Sequence, residues 1–145
     1  MALTQPYENF EKPGIVVGYK LSNVKVYKGA LLAVNSSGYA IPLTHATASL
    51  KFIGIANETI DNSAGNAGDK SINVTKSGSF VFKAAAGFAP AQADIGKELY
   101  ALSDWEVQIA TAGLTNQYKV GRILGLESTS TGVTGVRLRV EDYVQ

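Results

Sequence analysis

The chain has 145 residues, of which 46% are hydrophobic and 17% charged, and its formal net charge at pH 7 is +1. This length suits one domain with one core. The balanced charge excludes the basic footprint of a nucleic-acid-binding protein and the polybasic patch of a membrane-surface protein. One histidine and no cysteine exclude a disulfide framework and a cysteine-based zinc site. The first 20 residues contain no apolar run of signal-peptide length, so we expect the protein to be made and kept in a cytoplasm.

The N-terminal segment differs from the rest of the chain. Residues 1–13 are polar and follow neither the period of a strand nor that of a helix. We interpret them as an N-terminal arm, and residues 14–145 as a single β domain. The rings of the arm either pack against their own domain or dock on a partner. Two prolines and two aromatic residues lie in the arm: Pro6, Tyr7, Phe10 and Pro13.

From Gly14 onward, β-branched and aromatic residues recur in short runs separated by Gly, Asn, Ser and Asp, which is typical of strands. Asn35–Gly38 predicts a hairpin turn with a glycine available for a positive φ. Leu50–Ala56 is apolar on both faces, which predicts a buried central strand, either in the core of one subunit or at an axis between subunits. The predicted strands are Gly14–Tyr19, Val24–Tyr27, Leu31–Val34, Tyr39–Leu43, Leu50–Ala56, two within a hairpin Ser71–Lys83, Glu98–Leu102, Trp105–Ala110, Tyr118–Leu124 and Val133–Val140.

The second half of the chain adds two more predicted hairpins, one from each of the last two pairs of strands. Alternation in the final strand places Val136, Leu138 and Val140 on one face and Arg137, Arg139 and Glu141 on the other. The only helix signal is one turn within Pro90–Lys97. About ten short strands with such spacing predict an all-β sandwich or barrel. The aromatic residues expected in its core are Phe80, Phe82 and Trp105.

Few side chains suit catalysis. His45 is the only histidine, it lies in a Thr/Ala-rich connection without a nucleophile elbow, and we interpret it as a loop residue, exposed or locally bonded. Asp61–Asp69 has oxygen-bearing side chains at alternate positions, as a calcium loop has, but it lacks the closing Glu and the flanking helices, so we interpret it as a polar β-loop. The carboxylates of Glu98, Asp104 and Glu106 are interpreted as solvated charges at a hairpin. We therefore predict no catalytic residue, no cofactor and no metal site.

Several segments between roughly residues 25 and 140 follow one another in an order and spacing found in a known family. They are Val26–Val34 followed by Tyr39–Pro42, Phe52–Asp61 followed by Gly68–Val74, Ser77–Val81, Ala93–Tyr100 and Val120–Gly125. The ordered set resembles the small capsid decoration, or cement, proteins of tailed bacteriophages. The arm and residues 141–145 carry no motif that matches the family.

The resemblance implies a β-barrel or β-tulip-like module that is not an enzyme and has no cofactor. It implies a virion protein, made in the host cytoplasm and bound to the outer surface of the mature head, where a homotrimer staples neighbouring major capsid proteins. The expected partners are the major capsid protein and further copies of this chain, with no nucleic acid and no membrane. We hypothesise that the arm makes the capsid contact, with Tyr7 and Phe10 as anchors beside Pro6 and Pro13.

The alternative is a tail or adhesin-type β module that binds a host surface glycan. Glycan sites present exposed Trp or Tyr beside Asp or Asn. Tyr39, Tyr118 and the Asp61–Asp69 loop offer such residues, although no spacing singles them out. An enzyme would need His45 or a carboxylate pair with a perturbed pKa in a cleft between subunits.

Overall fold

The computed structural model describes residues 15–129 and 132–140, and the predicted arm lies outside them. The described residues form strands and one three-residue 3-10 turn, Gln92–Asp94, which confirms the all-β prediction. In chain order the strands are β1 Val16–Lys20, β2 Lys25–Val26, β3 Leu31–Val34, β4 Ala40–Pro42, β5 Lys51–Ala56, β6 Ile60–Asp61, β7 Ser71–Thr75, β8 Ser79–Ala84, β9 Glu98–Ala101, β10 Glu106–Gln108, β11 Lys119–Ser128 and β12 Thr134–Val140.

Five strands form an antiparallel sheet in the order β1-β7-β5-β3-β4. β5 lies at its centre and is buried from Phe52 to Ala56, which confirms the predicted central strand and places it inside the subunit. The predicted hairpin turn joins β3 to β4. Gly38 in this turn has a φ of +85°, and Asn35 Oδ1 accepts hydrogen bonds from the N–H groups of Ser37 (3.0 Å) and Tyr39 (3.1 Å).

Apolar side chains cover both faces of the sheet. The register between β3 and β5 shifts beside Gly54, so that Phe52 and Ile55 join one hydrophobic cluster while Ile53 and Ala56 join the other. The first cluster continues into the barrel described next. The second is covered by the two-stranded β2–β6 ladder. The sheet is therefore the middle layer of the molecule.

The strands β10-β8-β12-β11-β9 form a closed barrel. β9 pairs with β10 and β11 with β12, both antiparallel, which confirms the two later hairpins. Val136, Leu138 and Val140 are buried in the barrel while Arg137 and Arg139 are exposed, as the alternation predicts. A short parallel contact between β10 and β8 completes the ring. Closure removes the free edges that these strands would otherwise present.

The predicted hairpin over Ser71–Lys83 is wrong, although both of its strands are present. β7 pairs with β1 and β5 in the sheet, whereas β8 pairs with β12 and β10 in the barrel. The connection is held at both ends. The Lys76 N–H donates to the Ile15 carbonyl (2.7 Å), and the Gly78 carbonyl accepts from the Val140 N–H (3.0 Å). Alternating side chains fix which face of a strand is buried but do not identify its partner.

The predicted turn within Pro90–Lys97 is confirmed as the 3-10 turn before β9. Asp94 holds it together, since its carboxylate accepts hydrogen bonds from the Ala91 N–H (2.9 Å) and from Lys97 Nζ (2.7 Å). The bond from Lys97, and then the one from Ala91, lowers the pKa of Asp94. Gly96, with a φ of +89°, ends the turn.

Gly54 is the position at which the sheet tolerates least change. Its φ is +132°, and an added Cβ would overlap the carbonyl oxygen of Thr75 on β7. We expect Gly54→Ala to lower the free energy of unfolding by about 2–4 kcal/mol, from overpacking and backbone strain together, as measured by urea denaturation.

Gly18→Ala on β1 is the matched control. A Cβ at Gly18 would lie 3.6 Å from its nearest neighbour, Asn73 Oδ1, so the change should stay within about 0.5 kcal/mol. A Gly54→Ala protein as stable as this control would contradict the tight packing of β5.

Candidate functional site

The four residues predicted to contact the capsid lie outside the described residues. They are Pro6, Tyr7, Phe10 and Pro13. Their role therefore stays a prediction from the sequence. The other nominated positions, a histidine, a polar loop, carboxylates and tyrosines, are all described.

His45 is a locally bonded loop residue, as predicted. Its Nδ1 accepts a hydrogen bond from the Thr115 N–H (3.1 Å), and its carbonyl accepts one from Asn116 Nδ2 (2.8 Å). These bonds join the connection between β4 and β5 to the segment that precedes β11. They use the imidazole to tie two loops together, which accounts for the histidine structurally.

The Asp61–Asp69 loop is built around one buried amide. Asn62 is 2% exposed, and its Nδ2 donates to the carbonyls of Ser22 and Asn66, both at 2.9 Å. Its Oδ1 has no protein donor and occupies the space that a Cβ at Gly65 would need. Within residues 15–129 and 132–140, no group of three or more His, Cys, Asp or Glu side chains is placed to hold a metal. The loop is polar and self-bonded, as predicted.

The nominated carboxylates fall into two classes. Glu98 binds Lys119 Nζ (3.0 Å) and Arg122 Nη2 (3.1 Å), and the bond from Lys119 lowers its pKa. Asp104 behaves in the opposite way, because burial raises its pKa and the neighbouring Glu106 adds repulsion, against a bond from its own backbone N–H. Asp104 is thus partly buried rather than fully solvated.

Asp104 lines a groove of about 500 Å³ at the junction of the sheet and the barrel. Four segments form it: the connection Tyr27–Ala30 between β2 and β3, Val81–Lys83 on β8, the β9–β10 turn with Asp104 and Trp105, and Thr129 after β11. The volume lies within the range of about 300–1,000 Å³ that is typical of small-molecule sites. The groove is therefore formed jointly by the connection from the ladder to the sheet and by segments of the barrel.

Backbone hydrogen bonds hold the walls of the groove in place. The Leu31 N–H donates to the Asp104 carbonyl (2.7 Å), and the Lys83 N–H donates to the Trp105 carbonyl (3.1 Å). On the sheet side, the Gly29 N–H donates to the Ala56 carbonyl (2.9 Å). The β9–β10 turn is thus attached to β3 on one side and to β8 on the other. A groove fixed through main-chain bonds needs little reorganisation to bind a ligand.

Two exposed aromatic rings stand at the groove. Trp105 is 47% exposed and Tyr27 is 61% exposed. The prediction that Trp105 belongs to the core is wrong because this residue lies on the turn just before β10 begins, whereas Phe82 is buried and Phe80 packs against the core. Lys83 Nζ lies 4.7 Å from the centre of the Trp105 ring, in the range of a cation–π contact.

The sequence did not identify these groove residues together. Tyr27 directly follows β2 and Trp105 directly precedes β10, and both adjoin turn residues. This position at the end of a strand is the sequence feature that could have indicated that the two rings are exposed. Of the tyrosines nominated for glycan binding, Tyr39 packs against Gly68 in the polar loop. Tyr118 is buried, with its hydroxyl donating to the Thr47 carbonyl (2.6 Å) and accepting from the Leu50 N–H (3.1 Å). Tyr118 cannot act as an exposed platform.

Comparisons of the chain with protein-family profiles, with curated proteins and with solved structures find no match. In the part of the chain that the structure describes, no helix has the length and apolar character needed to cross a membrane.

The two classes of carboxylate predict opposite pH dependences of stability. Because the pKa of Asp104 is raised in the folded state, the folded protein gains less from its ionisation, and stability is lost as the pH rises above the unfolded value of about 4 through the folded pKa. Asp104→Asn should therefore become more stable relative to the parent as the pH rises.

Glu98→Gln is the matched control. The pKa of Glu98 is lowered, so its stabilisation is present above the unfolded pKa and is lost as the pH falls through the folded pKa. This variant should lose stability relative to the parent as the pH rises. Urea unfolding at about pH 3 and about pH 7 measures the stability of each variant relative to the parent. If this difference changed with pH in the same direction for both variants, the opposite pKa shifts of Asp104 and Glu98 would be refuted.

Proposed function

We propose that this chain is a capsid decoration protein of a tailed bacteriophage, bound to the outer surface of the mature head. It joins neighbouring major capsid proteins, acts as a homotrimer and catalyses no reaction. The observation that carries the proposal is the ordered set of sequence segments that resembles the cement-protein family. Virion localisation, the capsid partner and the trimer are parts of the same proposal.

The positions of those segments in the fold support the proposal. Val26–Val34 spans β3, Phe52–Asp61 runs from β5 to β6, and Val120–Gly125 lies in β11. They supply strands to the sheet, the ladder and the barrel alike. The resemblance therefore extends over all three layers and is not limited to one turn.

The described surface also suits a protein covered by other proteins. Leu124, Leu126 and Val133 on the β11–β12 hairpin are 47%, 40% and 36% exposed, and Ile15 and Val16 at the start of β1 are 67% and 44% exposed. In a chain with 17% charged residues, below the usual share of about 25%, such apolar positions favour contact with partners.

An edge strand near the proposed arm supports strand pairing with a neighbour. Among the described residues, β1 is an edge strand of the five-stranded sheet, and it begins three residues after the end of the proposed arm. An edge strand can add a further strand from a neighbouring molecule.

Copy number is the first test of the proposal. Quantitative mass analysis of purified phage particles should find this chain in a number close to that of the major capsid protein, because cement proteins bind repeatedly across the lattice. A handful of copies per particle would contradict capsid decoration and favour the tail or adhesin alternative.

Removal of the arm is the second test. Deleting residues 1–13 should abolish binding to purified heads in co-sedimentation, while urea unfolding of the remaining domain stays cooperative. Tyr7→Ala with Phe10→Ala should weaken binding in the same direction, and Gly18→Ala, downstream of the arm, should leave it unchanged. Full occupancy after deletion would refute the role of the arm.

A further inference from the structure

We propose that the groove at the junction of sheet and barrel binds a neutral saccharide, with a sugar ring stacked on Trp105 and its hydroxyl groups bonded to Asp104. This site goes beyond capsid decoration and does not depend on it. It also differs from the sequence-based glycan alternative, which named Tyr39, Tyr118 and the Asp61–Asp69 loop.

The exposed rings are the first argument. Among the described aromatic residues, Phe52 (3% exposed), Phe82 (5%) and Tyr118 (8%) are buried and five others are partly buried, whereas Trp105 and Tyr27 are 47% and 61% exposed. Trp105 and Tyr27 both line the groove. A large flat ring that is half exposed offers the surface on which the C–H face of a sugar packs.

The lysines at these rings narrow the class of ligand. Lys83 Nζ lies 4.7 Å from the centre of the Trp105 ring, and Lys25 Nζ lies 4.9 Å from that of Tyr27. Each ring thus already has a cation over one face, which disfavours a quaternary ammonium ligand and leaves an uncharged ligand as the better partner for the remaining face.

Carboxylates offset the lysines of the groove, which favours a neutral ligand. Lys28, Lys83 and Asp104 line the groove, and Lys83 is paired at 3.3 Å with Glu106, which lies outside the lining. A phosphate or a nucleotide would compete with Glu106 for Lys83 and would be repelled by Asp104. A neutral polyol meets donors and acceptors of both kinds at no cost in charge.

Asp104 supplies the polar half of the recognition. Asp104 is partly buried in the wall of the groove, and this burial raises the pKa of its carboxyl group. The backbone carbonyl of the same residue already accepts a hydrogen bond from the Leu31 N–H. A carboxylate that has lost part of its hydration gains most from new donors. Two adjacent hydroxyl groups of a sugar can both donate to the Asp104 carboxylate, while the C–H groups of the sugar ring pack on the indole of Trp105.

The single tryptophan makes the test specific. Trp105 is the only tryptophan of the chain, so its fluorescence reports on the groove alone. The full-length protein is first applied to an array of hexose, N-acetylhexosamine, deoxyhexose and sialylated glycans. Each neutral glycan that binds is then titrated while Trp105 emission and its quenching by acrylamide are followed. We expect a neutral glycan to bind, to shift the emission and to reduce quenching at least twofold.

Variants then assign the site. Trp105→Ala, followed by calorimetry because the reporter is lost, should weaken binding at least tenfold, and Trp105→Phe, which keeps a smaller ring, should lose less. Asp104→Asn should weaken binding about tenfold although its stability at neutral pH is expected to rise, which separates binding from folding. Ile95→Ala is the control and should leave saccharide binding unchanged, since Ile95 is 39% exposed and does not line the groove.

Several results would overturn the site. These are an array without hits, binding that requires an acidic sugar, a bound glycan that leaves Trp105 quenching unchanged, or wild-type affinity in both Trp105→Ala and Asp104→Asn.

Protection of Trp105 by a peptide of residues 1–13 but by no saccharide would assign the groove to a second copy of the chain. Loss of head binding in Trp105→Ala without any saccharide binding would assign it to the capsid. Failure of the saccharide site leaves copy number and arm deletion as separate tests of decoration.

Discussion

The five-stranded sheet is apolar on both faces, and the rest of the structure follows from the need to cover both. Gly54 makes this arrangement possible, because the shift in register beside it turns Phe52 and Ile55 to one side and Ile53 and Ala56 to the other. The barrel covers one face and the β2–β6 ladder covers the second. The groove lies at their junction because the Tyr27–Ala30 connection leaves the ladder and enters β3 beside the barrel.

Local sequence patterns predicted most of the strands, but they did not predict which strands pair with each other. Features that depend on neighbours in sequence could be predicted. Examples are the turn at Asn35–Gly38 and the alternation of Val136, Leu138 and Val140. The partners of β7 and β8 depend on strands far away in the chain. The groove combines Tyr27, Val81, Asp104 and Thr129, and no spacing rule brings four such distant positions together. Trp105 failed as a core prediction because its alternation with Val107 extends one residue beyond the start of β10.

The contrast between Glu98 and Asp104 shows what distinguishes a structural charge from a site. Both lie in the β9–β10 hairpin region, yet Glu98 is surrounded by Lys119 and Arg122, whereas Asp104 is partly buried beside another acid. The first arrangement stabilises the fold. The second raises the pKa of a carboxyl group that lines the groove, and perturbed groups in a cleft are more frequent at binding and catalytic sites than elsewhere.

Closure of the barrel has a consequence for how the protein is made. β12 pairs with both β8 and β11, so the ring cannot close until the final strand has been synthesised. Until then β8 and β11 present unpaired edges, although the sheet formed by β1, β3, β4, β5 and β7 can already assemble. Contacts between residues far apart in sequence form slowly. All five strands of the sheet precede β12 in the chain, so the sheet can be complete while the barrel is still open, and unpaired strand edges of that kind favour aggregation.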